Sequence, residues 1–284
     1  MLKKIIKNII TSINSFSAKT KLGRFFNEQI IIHLMESYKS VIHKQTAMKF
    51  SAPNSLNHFR INTFSDKEPE TLDWIDSLPK NSVLWDIGAN IGLYSIYAAK
   101  SRNCDVIAFE PSVFNLELLA RNINLNDLQK KISIMPIALT DKLGPNSMKL
   151  TSKEWGGALS TFGRDLSWDG GKIDEIFSYS TFGCSMDQAI NILKLPKPDF
   201  IKIDVDGIEH FILKGGRNIL KNIRGILIEI NDNFHEQSFS ANDVLSKSGL
   251  VLNKKLQGNM LKDSKYGFDK TFNQIWIRNK KSNE

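Results

Sequence analysis

The chain has 284 residues, 41% of them apolar, and a formal net charge of +8. That suits a globular protein with a sizeable core and excludes disordered, collagen-like and repeat architectures. Two distant cysteines, Cys104 and Cys184, make neither a disulfide framework nor a zinc pattern, and they imply a reducing compartment. No apolar run reaches the roughly 18 residues of a membrane span. The basic N-terminus lacks a clean apolar stretch followed by a cleavage site, so no secretory leader is expected. The expected location is cytoplasmic, reaching at most the inner face of a membrane.

Residues 1–50 read as a basic helical extension. Nine Lys or Arg and two acids, Glu28 and Glu36, fall within residues 1–49, leaving the rest of the chain close to neutral. Leu2, Ile5, Ile6, Ile9, Ile10, Ile13 and Phe16 recur at helical spacing, with Lys3, Lys4, Lys7 and Asn14 off the stripe. Such a helix could dock on its own domain, on a second copy or, through residues 1–16, on a membrane surface. A second helix is predicted over Leu22–His43, an irregular stretch over Ser51–Ser65, and a helix over Thr71–Leu78 that Pro79 ends. Residues 51–79 thus read as a linker and lead-in helix.

From residue 80 to 279 strands and helices alternate. Strands are predicted at 83–86, 105–110, 132–139, 200–204 and 225–229, with late strands near Val251 and Ile275. Helices are predicted over 93–101, 116–124, 209–220 and 241–248. This order predicts an α/β fold with a central, mostly parallel sheet covered by helices on both faces. Residues 140–198 are too long for a simple connection. They predict a hairpin and a helix over Asp187–Leu193, in an insertion that either faces the substrate or is a plain surface hairpin.

The strongest motif is Asp86-Ile87-Gly88-Ala89-Asn90-Ile91-Gly92-Leu93-Tyr94-Ser95. It follows an apolar strand and opens a helix, at the edge where open parallel sheets bind ligands. Gly88 and Gly92 permit a tight turn and close backbone approach. Asn90 replaces the second glycine of a dinucleotide fingerprint, and Asp86 would repel a pyrophosphate but suit the ammonium tail of a cationic sulfonium. The next strand ends in Glu110-Pro111, where a carboxylate can accept from both hydroxyls of a ribose. At the third strand, Ala138 and Leu139 could pack on adenine, and Asp141 could accept from its amino group. At the fourth strand's tip Asp204 is the leading candidate for general base or acceptor-orienting group. Asp206 and Glu209 read first as a helix capping box and second as further catalytic candidates. Asp204, Asp206 and Glu209 could together hold a divalent metal, but three acids alone do not establish one, and no metal is expected. His210 reads first as a surface helix histidine and second as a proton acceptor near neutral pH, and Glu229 as a residue of the acceptor pocket or of the surface.

Three blocks resemble the FkbM-type methyltransferase family: the Asp86–Ser95 loop; Phe109-Glu110-Pro111-Ser112 with Asn115, Leu119, Asn122 and Asn124; and Ile201-Lys202-Ile203-Asp204-Val205-Asp206-Gly207-Ile208-Glu209 followed by Leu213-Lys214-Gly215-Gly216. Thr63-Phe64-Ser65, Lys67–Thr71 and Trp74-Ile75 are similar to a subgroup. The resemblance implies a Rossmann-like class I methyltransferase fold, S-adenosylmethionine as donor and an oxygen acceptor on a sugar, glycan or other small metabolite. The family block often has Glu where this chain has Asp206. No Asn/Asp-Pro-Pro-aromatic tetrapeptide follows the fourth strand, which favours a hydroxyl over an amide or ring nitrogen. Two other classes remain open. A nucleic-acid methyltransferase tethered by the basic extension is disfavoured by the near-neutral catalytic region, so no nucleic-acid partner is expected. The other is a non-catalytic adenosyl-binding protein. Oligomeric state is not encoded in these patterns.

Overall fold

The computed structural model describes residues 2–262 and 267–279; Met1, in the predicted contact segment 1–16, lies outside them. The chain opens with helices α1 (Leu2–Ser17) and α2 (Lys21–Glu36) and a hairpin of β1 (Tyr38–His43) and β2 (Thr46–Ser51). Three short helices follow, α3 (Ser55–Asn62), α4 (Phe64–Lys67) and α5 (Pro69–Ser77). The βα units are β3 (Val83–Ile87), α6 (Leu93–Arg102), β4 (Asp105–Phe109), α7 (Val113–Leu125) and β5 (Ile132–Met135). An insertion supplies β6 (Ala138–Leu139), β7 (Gly144–Leu150), β8 (Thr161–Phe162), β9 (Phe177–Cys184) and α8 (Met186–Leu193). The chain then returns through β10 (Phe200–Ile203), α9 (Glu209–Lys214), α10 (Arg217–Leu220), β11 (Gly225–Asn231), α11 (His235–Lys247), β12 (Leu250–Leu256), α12 (Asn259–Lys262) and β13 (Thr271–Arg278).

The main sheet has the order β12-β13-β11-β10-β3-β4-β5. Its five strands from β11 to β5 run parallel, and β13 is antiparallel to both neighbours. Strand order reverses between β3 and β10, the switch point at which such sheets bind ligands. Period-two alternation sorts the side chains. Trp85, Ile87, Ile107, Phe109, Ile201 and Ile203 pack with α8–α11 on one face. Leu84, Val106, Ala108 and Leu227 pack with α3–α7 on the other. The insertion's four strands form a second sheet, β6-β9-β7-β8, whose Met148 and Phe162 join the first core.

The N-terminal half departs from the sequence reading in three places. The second helix stops at Glu36, because Ser37 turns extended (ψ 139°) and Tyr38–His43 pairs with Thr46–Ser51 about a turn in which Lys44 has φ 50°. The stretch read as irregular holds α3, whose N-cap Asn54 accepts from the Asn57 N–H. Residues 51–79 send Ile61, Phe64, Leu72, Trp74 and Ile75 into the core. Further on, the helix predicted over 209–220 is two helices broken at Gly215-Gly216.

Candidate active site

The β3 tip and its loop form the floor of the site. Gly88 and Ala89 donate N–H bonds to the Phe109 carbonyl, each at 3.0 Å, and Asp204 N–H donates to the Ile87 carbonyl at 3.0 Å. The loop is therefore laced to β4 and to the end of β10. Gly88 has φ +83°, and a Cβ there would lie 1.9 Å from the Asp204 carbonyl oxygen. Gly92, with φ +86°, starts α6 where a Cβ would lie 2.5 Å from Leu119 Cδ1. Both positions need glycine for conformation and for space.

Two cavities meet over this floor. The smaller, about 530 Å³, is lined by Gly88, Asn90, Phe109, Glu110, Pro111, Ile137, Ala138, Leu139 and residues 157–162 except Leu159. Glu110 Oε2 accepts from Asn90 N–H at 2.7 Å, and Oε1 from Ser112 N–H at 2.8 Å. Burial raises the Glu110 carboxyl to about 7, against the pull of those two N–H groups. The larger cavity, about 1180 Å³, adds Arg60, Phe64, Lys67, Glu68, Tyr94, Lys202, Glu229 and Phe268. Gly88, Asn90, Ala158, Asp204 and Asp206 line both.

A ladder of charge runs along the α3–α7 face of the sheet at its carboxyl edge. Asp86 and Lys202 are register partners, and alternation puts Asp204 and Glu229 on the same face. Lys202, 2% exposed, lies 3.1 Å from Asp204 Oδ2 and 3.7 Å from Asp86 Oδ1, with its ammonium 5.1 Å from the Tyr94 ring centroid. Burial disfavours the Lys202 charge, but Asp204, Asp86 and Glu68 outweigh it and hold its pKa above the ordinary lysine value. Glu68 bonds Lys67 at 2.6 Å and Tyr94 at 3.0 Å. Burial opposes its ionisation, yet Lys67 and Lys202 hold it well below the usual carboxylate range. Burial and the charges of Asp204 and Glu68 push Glu229 well above that range. Burial and Asp204 raise Asp206 to about 6.

The insertion closes over the smaller cavity and is stapled there. Asn90 Nδ2 and Asn115 Nδ2 donate to the Gly157 carbonyl at 2.8 and 3.1 Å. Arg60 Nε donates to the Gly156 carbonyl at 2.9 Å, and Leu159 N–H donates to Asp206 Oδ2 at 2.7 Å.

Of the residues singled out from sequence, Gly88, Asn90, Glu110, Pro111, Ala138, Leu139, Asp204 and Asp206 line the cleft. Asp86, Gly92, Asp141 and Glu209 do not. The Asp86 carboxylate is 1% exposed; it accepts from Ser95 Oγ at 2.5 Å and faces Lys202. Asp141 is gripped by Arg164 at 3.0 and 3.2 Å. Glu209 turns into the protein, accepting from the N–H groups of Val205 and Gly207 and from the Gln237 side chain. The capping box is therefore not formed as read. Asp206 sits at φ 63° and serves the insertion, and α9 starts after Ile208. The carboxylates that converge are Asp204, Asp206 and Glu229, whose oxygens lie within 4.8 Å of one another; Glu209 is not among them. His210 is fully buried, not on the surface, and burial lowers it to about 4.

Sequence reasoning missed Lys202, Glu68, Tyr94, Arg60 and Asn115 as site residues. Lys202 carried a signal: a lysine inside an apolar strand, two positions before Asp204, must share its face. Tyr94, Asn115 and Glu68 stood inside the quoted motifs, whereas Arg60 reaches the cleft only through tertiary packing.

The family model described as Methyltransferase FkbM domain matches residues 86–249. The chain belongs to this family. It is an S-adenosylmethionine-dependent methyltransferase. Hexuronic acid methyltransferase AglP of Haloferax volcanii is 24% identical over 193 residues, 65% of this chain and 71% of that protein. Methyltransferase sdnD of Sordaria araneosa is 29% identical over 168 residues, and the match spans 50% of this methyltransferase and 62% of that protein. Among solved structures, precorrin-6y C5,15-methyltransferase from Geobacter metallireducens has 15% identity and a TM-score of 0.45, covering 75% of this chain and 87% of that one.

Proposed function

We propose that this methyltransferase moves a methyl group from S-adenosylmethionine to a hydroxyl of a sugar or comparable small metabolite. The observation that carries the reading is the shared wall: Asp204 and Asp206 border both cavities. Glu110 would accept from the ribose hydroxyls, with Ile137, Ala138 and Leu139 against the adenine. Gly88 and Asn90 would carry the backbone side of the donor. Asp86 acts from behind the loop, fixing Ser95 and Lys202 rather than touching the tail. When bound, the donor supplies an already activated methyl on a cationic sulfur.

The chain's own task is then alignment and removal of one proton. Asp204 orients the acceptor hydroxyl, and its partner Asp206, raised to about 6, makes the pair suited to take a proton near neutral pH. The larger cavity offers Phe64, Tyr94 and Phe268 as flat surfaces among charged groups, a lining that suits a sugar. Its AglP relative is by name a hexuronic acid methyltransferase, which agrees with this substrate class.

The experiment is methyl transfer from isotope-labelled donor to a panel of sugars and hexuronic acids, read by mass spectrometry. We expect label on oxygen. Asp204→Asn should lower kcat by about 10²-fold or more while donor affinity stays within about two-fold. Label found on nitrogen, or an Asp204→Asn variant with full kcat, would overturn the reading.

A further inference from the structure

We infer that helices α1 and α2 form a docking surface for an anionic lipid bilayer, independent of the reading of the cleft. Helix α1 buries none of its residues. Its apolar stripe stands in solvent, with Leu2 71%, Ile9 53%, Ile13 61% and Phe16 74% exposed. Helix α2 continues it with Leu22, Phe25 and Phe26 exposed. An amphipathic helix ordinarily buries such a stripe against protein, and this chain leaves it open. Yet the two helices are no loose tail: Met35 near the end of α2 packs with Ile91 and Leu118, and Ser51 Oγ donates to the Met35 carbonyl at 3.3 Å.

Charge decides among the occupants. Lys3, Lys4, Lys7, Lys19, Lys21 and Arg24 surround the stripe, and among the described residues none makes an ion pair. Helix α1 has no acidic residue and α2 has only Glu28 and Glu36, so a second copy would leave most of these cations facing their own kind. A nucleic acid would satisfy the lysines but leave the isoleucines in water. A bilayer surface with anionic headgroups satisfies both sets at once. Each helix has 16 residues and is therefore about 24 Å long, short of the roughly 30 Å hydrocarbon core. Among the described helices none is long and apolar enough to cross a membrane. The surface therefore lies in the interface plane, apolar side down.

The test is sedimentation of the full chain with phosphatidylcholine vesicles, with and without phosphatidylglycerol. We expect pelleting with the anionic vesicles, at least about ten-fold weaker binding to the neutral ones, and release by salt. Ile9→Asp/Ile13→Asp should lose at least about ten-fold in binding while donor affinity, measured by calorimetry as the folding control, is unchanged. Lys3→Glu/Lys4→Glu/Lys7→Glu should do the same without touching the stripe. Four outcomes would overturn the inference: a chain that stays in the supernatant, equal binding to both vesicle types, unimpaired binding by the aspartate variant, or a stable dimer that the aspartate variant dissociates.

Discussion

Away from their shared wall, the smaller cavity is lined by backbone, apolar and neutral polar groups with a single ionisable side chain, Glu110, whereas the larger is walled by Arg60, Lys67, Glu68, Lys202 and Glu229. On the proposed reading the first takes the donor, and it is fixed by one loop and two strand tips. The second is a charge network drawn from α3, α4, α6 and three strands, so its shape depends on the whole fold. A disturbance of the smaller cavity should act on the donor alone. A disturbance of the network should reach stability before it reaches binding.

The sharpest break of that contrast is Lys202→Met. It leaves Asp86, 1% exposed, without its cation, and stranding one partner of a buried pair typically costs about 3–5 kcal/mol. Urea denaturation should report a loss of that order, and the Asp86→Asn/Lys202→Met double variant should regain part of it, Asp204 and Glu68 still lacking the lysine. A single variant as stable as the parent would mean the network is not what holds the larger cavity.

Gly88→Ala probes the wall that the two cavities share. The added Cβ meets the Asp204 carbonyl at 1.9 Å with φ at +83°. Left-handed strain of about 1–2 kcal/mol then combines with overpacking of about 1–3 kcal/mol. The loop must shift, so we expect at least about ten-fold weaker donor binding by calorimetry. Full affinity in Gly88→Ala would show that the donor does not depend on this backbone approach.

The same contrast explains what could be read from the sequence. The parallel sheet, the Gly88 loop, Glu110 and Asp204 were legible because each is a contiguous pattern: an apolar strand, a turn, a helix. The larger cavity was legible only at Asp204, Asp206 and Glu229, because Glu68 and Arg60 join them only through packing of segments far apart in sequence. The β1–β2 hairpin was overlooked because Tyr38–His43 directly continues a helical pattern. Asp141 and Glu209 were misplaced for a simpler reason. An acid near a strand tip has two faces available, and Arg164 and Gln237, which claim these two, could not be placed beforehand.

The smallest effect is the most specific to Glu110. Its carboxyl is raised to about 7 in the folded protein, above the ordinary carboxylate range, because burial outweighs the Asn90 and Ser112 N–H groups. On this group alone, folding stability is highest below the unfolded value near 4.3 and declines as pH rises through 7. Donor binding runs the other way, since only the ionised carboxylate accepts from both ribose hydroxyls. Affinity should rise about ten-fold between roughly pH 6 and pH 8, equivalent to about 1.4 kcal/mol. In Glu110→Gln the overall affinity should fall, because an amide cannot accept from two backbone N–H groups and a diol together, and the pH slope should flatten. Asp206 titrates at about 6 on the shared wall, so the variant, not the slope alone, is what assigns the effect. A slope that survives in Glu110→Gln would assign the titration to Asp206 or its acidic neighbours and not to Glu110.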